Sequence, residues 1–357
     1  MALTLLRDIA NSIRNSPFYC IMADEVTDSS NREQVVLCFR WIDKDLQAHE
    51  DFVGLHAVEK INSDTLVKVI KDVLLRFNLP INQCRGQCYD GAVNMAGSRN
   101  GVATQISRME ERAVFTHCYG HALNLAVADV LKECSSVRDV LDTVGEISRL
   151  LKFSPKRDSQ FEKLKDSISP ETSGFRTLCP TRWTVRATSL LSVMENFEVF
   201  QEFWDTALED TSDSETRSRL NGVKMQMQQF HFLFGISLGE CILRHTDNLS
   251  RSLQSPSMSA AECQHLAEKT CSTLQRMRTK ESFDMFWKNL LKRRSDLDIG
   301  EPKLPRPRKA PRRFEVGTGE GYHPQTVEEH YLQLYFLVLD STMACIRQRF
   351  DQAGYQT

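Results

Sequence analysis

From Phe18 to Val58 the apolar residues fall in three short runs, and from Asn62 onward they recur at helical spacing; no other feature restricts the fold as much. Phe18–Ala23, Gln34–Ile42 and Asp51–Val58 read as strands, with polar turns at Asp28–Arg32 and Asp43–Gln47. Strands joined by turns this short pair antiparallel, so the three form a meander. In Asn62–Phe77, Leu66, Val69, Ile70, Val73, Leu74 and Phe77 share one helical face, with Ser63 or Asp64 as the cap and Pro80 as the stop. A strand over Gln83–Tyr89 follows, then a helix over about Asn94–Met109, a short strand at Ala113–His117 and an apolar helix at His121–Leu131. Met1–Ser16 also carries helical spacing, through Leu3, Leu6, Ile9 and Ile13. The order is therefore β-β-β-α-β-α-β-α, an α/β fold.

That order resembles the ribonuclease H-like fold, a mixed sheet flanked by helices in which the first and fourth strands lie side by side. Asp24 closes the first apolar run and Asp90 closes the fourth. Parallel pairing of those strands brings their C-terminal ends together, so the two carboxylates can share Mg²⁺ or Mn²⁺, with water and phosphate oxygens completing the shell. Two such ions activate an attacking oxygen and steady a leaving one. Aspartate also starts turns and caps helices, so each residue taken singly has a purely structural reading as well. Asp28 reads as an exposed turn residue.

The runs MADEVTD (Met22–Asp28), CYDGAVNMAG (Cys88–Gly97), HCYGHALNLAV (His117–Val127) and CPTRW (Cys179–Trp183), in this order, resemble the blocks of hAT-superfamily transposases, above all their domesticated zinc finger MYM-type relatives. The resemblance covers Ala2–Phe203 and, more loosely, a helical insertion after it. It implies that Asp24 and Asp90 are the first two catalytic acids and that Cys118 and His121 are the Cys-x-x-His element bracing a helix beside them. It also implies that Trp183, with Arg182, faces DNA. Active members use a third acid, a glutamate on a helix after the insertion. Thr326–Phe350 resembles the helix preceding that region, but Glu328 and Glu329 lack the catalytic context and read as solvated helix-start residues. The third acid is therefore expected to be absent, with metal binding incomplete and strand cleavage impaired. No BED or other zinc-finger module is expected ahead of the core.

Cys84, Cys88, His117, Cys118 and His121 raise the question of zinc, which takes sulfur and nitrogen ligands. Cys84 and Cys88 lie on one face of a strand that must be buried, and their spacing does not make a site, so zinc is disfavoured. The eleven cysteines are irregularly spaced, many within apolar runs, as reduced core residues of an intracellular protein are. No run approaches a membrane span and Met1–Ala10 lacks the apolar core of a secretory signal, so no membrane partner is expected.

A net charge of -2 excludes bulk nucleic-acid affinity as the main property of the chain. The local picture differs: Lys292, Arg293, Arg294, Lys303, Arg306, Arg308, Lys309, Arg312 and Arg313, interleaved with prolines, read as an extended linker, a nuclear-import signal or a DNA-backbone contact. A helix over Val185–Phe203, a mobile acidic loop at Asp205–Glu215 and a mostly helical Leu220–Leu291 complete the reading. The expected domains are a ribonuclease H-like core over 1–204, a helical insertion over 205–300, a basic Pro-rich linker over 301–325 and a C-terminal helix over 326–357, the start of a truncated region. The reading favours a nuclear, domesticated DNA- or protein-binding module, with homo-oligomers among its partners. The alternatives are an active metal-dependent transposase core completed by a missing C-terminal region, and a ribonuclease H-like nuclease on another substrate.

Overall fold

Alternation and helical periodicity divide the first part of the chain as its residues dictate. The computed structural model describes residues 2–178, 186–255, 258–304 and 324–350. Helix α1 (Ala2–Asn15) buries Ala10 and Ile13 and leads into β1 (Tyr19–Thr27), where Tyr19, Ile21 and Ala23 are buried at every second position. Strand β2 (Glu33–Ile42) and β3 (Ala48–Ala57) complete the meander. Both turns are closed by aspartates: Asp28 accepts from the N–H of Ser30 and Arg32, and Asp43 from those of Asp45 and Gln47.

Helix α2 (Ser63–Arg76) buries Leu66, Val67, Ile70, Val73 and Leu74. Its cap is Asn62, whose side chain accepts the Thr65 N–H at 2.9 Å, rather than Ser63 or Asp64. The helix also stops before Pro80 takes effect. Asn78 adopts a left-handed conformation (φ 50), and the N–H groups of Asn78 and Leu79 return to the carbonyls of Leu75 and Leu74. A short 3₁₀ turn precedes β4 (Cys84–Tyr89). The single helix expected after Asp90 is two: α3 (Val93–Ala96) and α4 (Val102–Met109). The chain folds back on itself so tightly between them that a Cβ on Gly97 would lie 2.4 Å from the Val93 carbonyl oxygen, and one on Gly101 2.4 Å from the Gly97 nitrogen. Strand β5 (Val114–His117) then feeds α5 (Tyr119–Glu133).

The sheet order is β3-β2-β1-β4-β5. The meander is antiparallel, and β4 pairs in parallel with β1 on one side and β5 on the other. The first and fourth strands are thus neighbours. One apolar cluster joins Ile13, Ile21, Leu37, Phe39, Ile70 and Ile106 under this sheet. Buried Gln87 ties β4 to α4, its Nε2 lying within 3.0 Å of the Ala103 and Ala113 carbonyls and of Ser107 Oγ.

The elements that follow among the described residues are helices: α6 (Ser135–Lys152), α7 (Pro155–Ile168), α8 (Arg186–Glu195), α9 (Phe197–Glu209), α10 (Ser214–Met227), α11 (Phe230–Leu253), α12 (Ala260–Met277), α13 (Lys280–Asp296) and α14 (Val327–Phe350). The helix expected over Val185–Phe203 is broken at Asn196, which is fully buried and donates to the Ser192 and Ser173 carbonyls. The acidic loop is mostly absorbed into α9 and α10, leaving a short connection in which Asp213 caps α10 through the Thr216 N–H. Of the basic segment, Lys292, Arg293 and Arg294 are helical and Arg294 is bound to Glu301 at 2.6 Å; Arg306, Arg308, Lys309, Arg312 and Arg313 lie outside the described residues.

The chain divides into two compact units. The first comprises Met1–Leu125, Ser252–Ala267 and Gln348–Thr357 and contains the sheet. Within it, Arg40 donates to the Met258 carbonyl and Tyr119 stacks on Phe350. The second comprises Ala126–Arg251 and Glu268–Arg347. There α11 passes so close to α6 that a Cβ on Gly235 would lie 2.3 Å from the Ser136 carbonyl oxygen, and Phe161, Phe200, Phe203 and Trp204 stack into an aromatic core.

Candidate functional site at the ends of β1 and β4

Strand register builds the site. The parallel ladder between β1 and β4 ends at Met22 opposite Cys88, and that between β4 and β5 at Tyr89 opposite His117. Two residues beyond the first pair are Asp24 and Asp90; one residue beyond the second are Asp90 and Cys118. Residues in step across parallel strands project to the same face, so Asp24 on β1 and Asp90 and Cys118, just past the ends of β4 and β5, lie in step at this edge of the sheet. Asp24 does not terminate its strand, as the apolar run suggested. Strand β1 continues to Thr27 because β2 still pairs with it, Asp24 opposite Val36; it is β4 that ends beside it.

Each aspartate is braced by one backbone group. Asp24 Oδ1 accepts the Glu25 N–H at 3.0 Å, and Asp90 Oδ1 accepts the Ala92 N–H at 3.0 Å, which closes the turn into α3. Burial raises the pKa of Asp24, and the charge of Asp90 adds to the rise, against the Glu25 N–H and His121. Glu25 is raised by burial, then by Asp90 and by Asp24, and its Oε1 is buried without a hydrogen-bond partner. Sequence reasoning passed over Glu25. As the neighbour of Asp24 on one strand it projects to the opposite face.

Cys118 immediately precedes α5, and its N–H donates to the Tyr89 carbonyl at 2.8 Å. The neighbouring Cys88 thiol and the His121 and Gly120 amides at the start of α5 draw the Cys118 thiol down to about 6, against burial and the Asp24 charge. Cys88 is pushed up, by Cys118 and by burial. The His117 and His121 rings both face Gly91, where an added Cβ would lie 3.8 Å from His117 Nδ1 and 3.9 Å from His121 Nε2. Burial, followed by His121, lowers the pKa of His117. Cys84 is apart from this group and donates its thiol to the Gly86 carbonyl.

Two carboxylates in step suit a hard divalent cation such as Mg²⁺ or Mn²⁺, whose remaining positions water would fill. Among the described residues no group of three or more His, Cys, Asp or Glu side chains is disposed to hold a metal ion. Glu328 and Glu329 lie in the first turn of α14: Glu328 pairs with Lys280 at 2.9 Å, and Glu329 accepts the Gln325 N–H. Arg182 and Trp183 lie outside the described residues. Among the described residues no helix is long and apolar enough to cross a membrane.

Comparison with known proteins agrees with this architecture. Residues 1–101 match the family model described as the ZMYM1/FAM200 RNase-like domain, and residues 116–226 match the ZBED1 RNase-like helical domain. The 52 kDa repressor of the inhibitor of the protein kinase from Homo sapiens is 22% identical over 249 residues, covering 68% of this chain and 33% of the relative. Its Mus musculus counterpart is 26% identical over 178 residues, covering 49% of this chain and 23% of the relative. The chain thus spans a third or less of the length of these relatives.

Proposed function

Since this chain belongs to the hAT transposase-derived family and carries its ribonuclease-like core, we propose that it is a nuclear DNA- and protein-binding module in which the ancestral strand-transfer chemistry is impaired. The observation that carries this reading is the Asp24–Asp90 pair itself. Two acids stand in step on one sheet face, while the third carboxylate that feels both charges, Glu25, projects to the other face. Asp24 and Asp90 would hold Mg²⁺ or Mn²⁺, which when bound supplies charge neutralisation for a phosphodiester oxygen. What the chain itself provides is orientation. Backbone N–H groups fix one oxygen of each aspartate, leaving the other for the cation. With only two such ligands the second ion of a two-metal centre is poorly held, which supports binding over cleavage.

The relatives are named as repressors, and repression needs recognition rather than chemistry. DNA contact is assigned to Arg182, Trp183 and the basic stretch from Lys292, and homo-oligomers and other proteins are further partners of this reading. The retained pair Asp24–Asp90 favours a second reading, a transposase core that becomes active when completed by further chain. The test of the binding reading is fluorescence anisotropy with labelled duplex DNA. Affinity should fall by at least about tenfold between 50 and 200 mM salt and weaken on Arg182→Ala with Trp183→Ala. Absence of binding at low salt, or binding indifferent to both substitutions, would contradict it.

A further inference from the structure

Helices α1 and α2 and strand β3, all within the first compact unit, line a groove of about 430 Å³ on the helix-covered side of the sheet. Register fixes which side this is. Gly54 and His56 are opposite Leu37 and Val35, which are buried in the core, whereas Asp24 is opposite Val36 and projects to the other face. The floor of the groove is apolar, with Leu3, Leu6, Val53 and Phe77, and Leu3 is 70% exposed. Its rim is basic. Leu3, Arg7, Ala10 and Arg14 fall on one stripe of α1, which sets the two arginines two turns, roughly 10 Å, apart along the axis. Among the described residues neither Arg7 nor Arg14 is in an ion pair; Arg14 donates to the Ala10 carbonyl and the Asn11 side chain of its own helix. Arg76 closes the rim from α2, paired with Asp72 at 2.8 Å. Among the described residues that line the groove, none is acidic. His56 turns back over Gly54, where an added Cβ would lie 3.1 Å from its Nε2, and that nitrogen is enclosed without a hydrogen-bond partner.

We propose that this groove is a docking site for an acidic amphipathic helix of a partner protein. The apolar face of such a helix covers Leu3 and Phe77, and carboxylates two turns apart meet Arg7 and Arg14, each guanidinium able to take a carboxylate through two parallel hydrogen bonds. Charge complementarity selects this occupant. The whole chain carries a net charge of -2, so a rim of three arginines is a local reversal of sign. A DNA backbone would neutralise the arginines but has no apolar group for the floor, and a fatty acid brings one carboxylate to two unpaired guanidiniums. Covering the floor removes apolar surface from water and supplies affinity, while the arginines fix the direction and register of the partner helix. The inference deepens the protein-binding part of the proposed function and uses none of the residues assigned to DNA or to metal.

The experiment measures the fluorescence anisotropy of two labelled helical peptides against the full chain. Both carry a leucine face, flanked in one by glutamates two turns apart and in the other by lysines. The glutamate peptide should bind at least about tenfold more tightly, and Arg7→Glu with Arg14→Glu should reverse the order. Hydrogen exchange on the unsubstituted chain decides the matter if that variant fails to fold: the bound glutamate peptide should slow exchange in α1 and in the last turn of α2. Arg182→Ala with Trp183→Ala should leave peptide binding unchanged, which separates failure of this inference from failure of the DNA-binding reading. Equal binding of the two peptides, or protection confined to other elements, would overturn the proposal. So would displacement of the peptide by duplex DNA, or self-association of the chain, that the arginine reversal abolishes, since the groove would then belong to DNA or to a second copy.

Discussion

Asp24 and Asp90 each lie two residues beyond the Met22–Cys88 pair that closes the parallel ladder between β1 and β4, so the carboxylates are in step on one sheet face. Such a pair supplies two oxygen donors and leaves most of an octahedral shell to water. Isothermal calorimetry with Mn²⁺ should therefore show weak binding, in the millimolar range, that is lost in Asp24→Asn and in Asp90→Asn. Tight binding at unit stoichiometry would reveal a ligand beyond this pair.

The same proximity sets a pH dependence. Burial and the Asp90 charge raise the Asp24 pKa above its unfolded value, so between the two values the native state binds more protons than the unfolded chain. Stability contributed by Asp24 is therefore full below the ordinary carboxylate pKa and declines as pH rises through the raised one. Asp24→Asn should raise the melting temperature at neutral pH and flatten this decline, and differential scanning calorimetry across that window reads it directly. A lowered melting temperature at neutral pH would show that the Asp24 carboxylate is held by a partner.

Asn62 offers a test of the local reading. Its side chain accepts the Thr65 N–H at the start of α2, and that helix buries Leu66, Ile70 and Val73 beneath the sheet. Asn62→Ala should cost about 1 kcal/mol by denaturant titration, whereas Asn62→Asp or Asn62→Ser should be nearly neutral.

Element order was legible because period 2 and period 3.6 alternate from Tyr19 to Val127, and the adjacency of the first and fourth strands was implied by the resemblance of that order to the ribonuclease H-like fold. Element ends were less legible where a polar residue is claimed by a neighbour across the fold. Asp24 looks like a strand end, yet β2 extends pairing to Thr27, and Asn196 sits inside an unbroken helical pattern, yet its buried amide is drawn to the Ser173 carbonyl. Helix α4 is separated from α3 by close backbone packing at Gly97 and Gly101, which shows in sequence only as two glycines. Asp24, Asp90, Cys118 and His121 were singled out through motif order, and Cys88 only as a zinc candidate. Glu25 was passed over, because its place beside the pair comes from sheet register and long-range charge, which have no local signature.

Glu110 and Arg112 supply an acid-sensitive clasp between α4 and β5. Arg112 donates to both Glu110 oxygens, at 2.6 and 2.9 Å, and reaches the Asn82 carbonyl. The guanidinium holds the Glu110 carboxyl down at about 2. A depressed folded-state pKa contributes stability that is present above the unfolded glutamate value and lost as pH falls toward 2. Glu110→Gln should remove part of the loss of stability on acidification, measured by circular dichroism melts from pH 6 to about 2. Identical acid profiles for the two proteins would assign no role to this pair.

The central claim, an acidic pair kept for binding without strand transfer, is tested most directly by incubating the purified chain with Mg²⁺ or Mn²⁺ and labelled DNA carrying terminal inverted repeats, and resolving the products on a denaturing gel. The account predicts neither hairpins, nicks nor joined strands above those of Asp24→Asn and Asp90→Asn, under conditions in which anisotropy shows the DNA to be bound. Metal-dependent cleavage that disappears in either variant would contradict it, and would mean that a further acid completes the centre formed by Asp24 and Asp90.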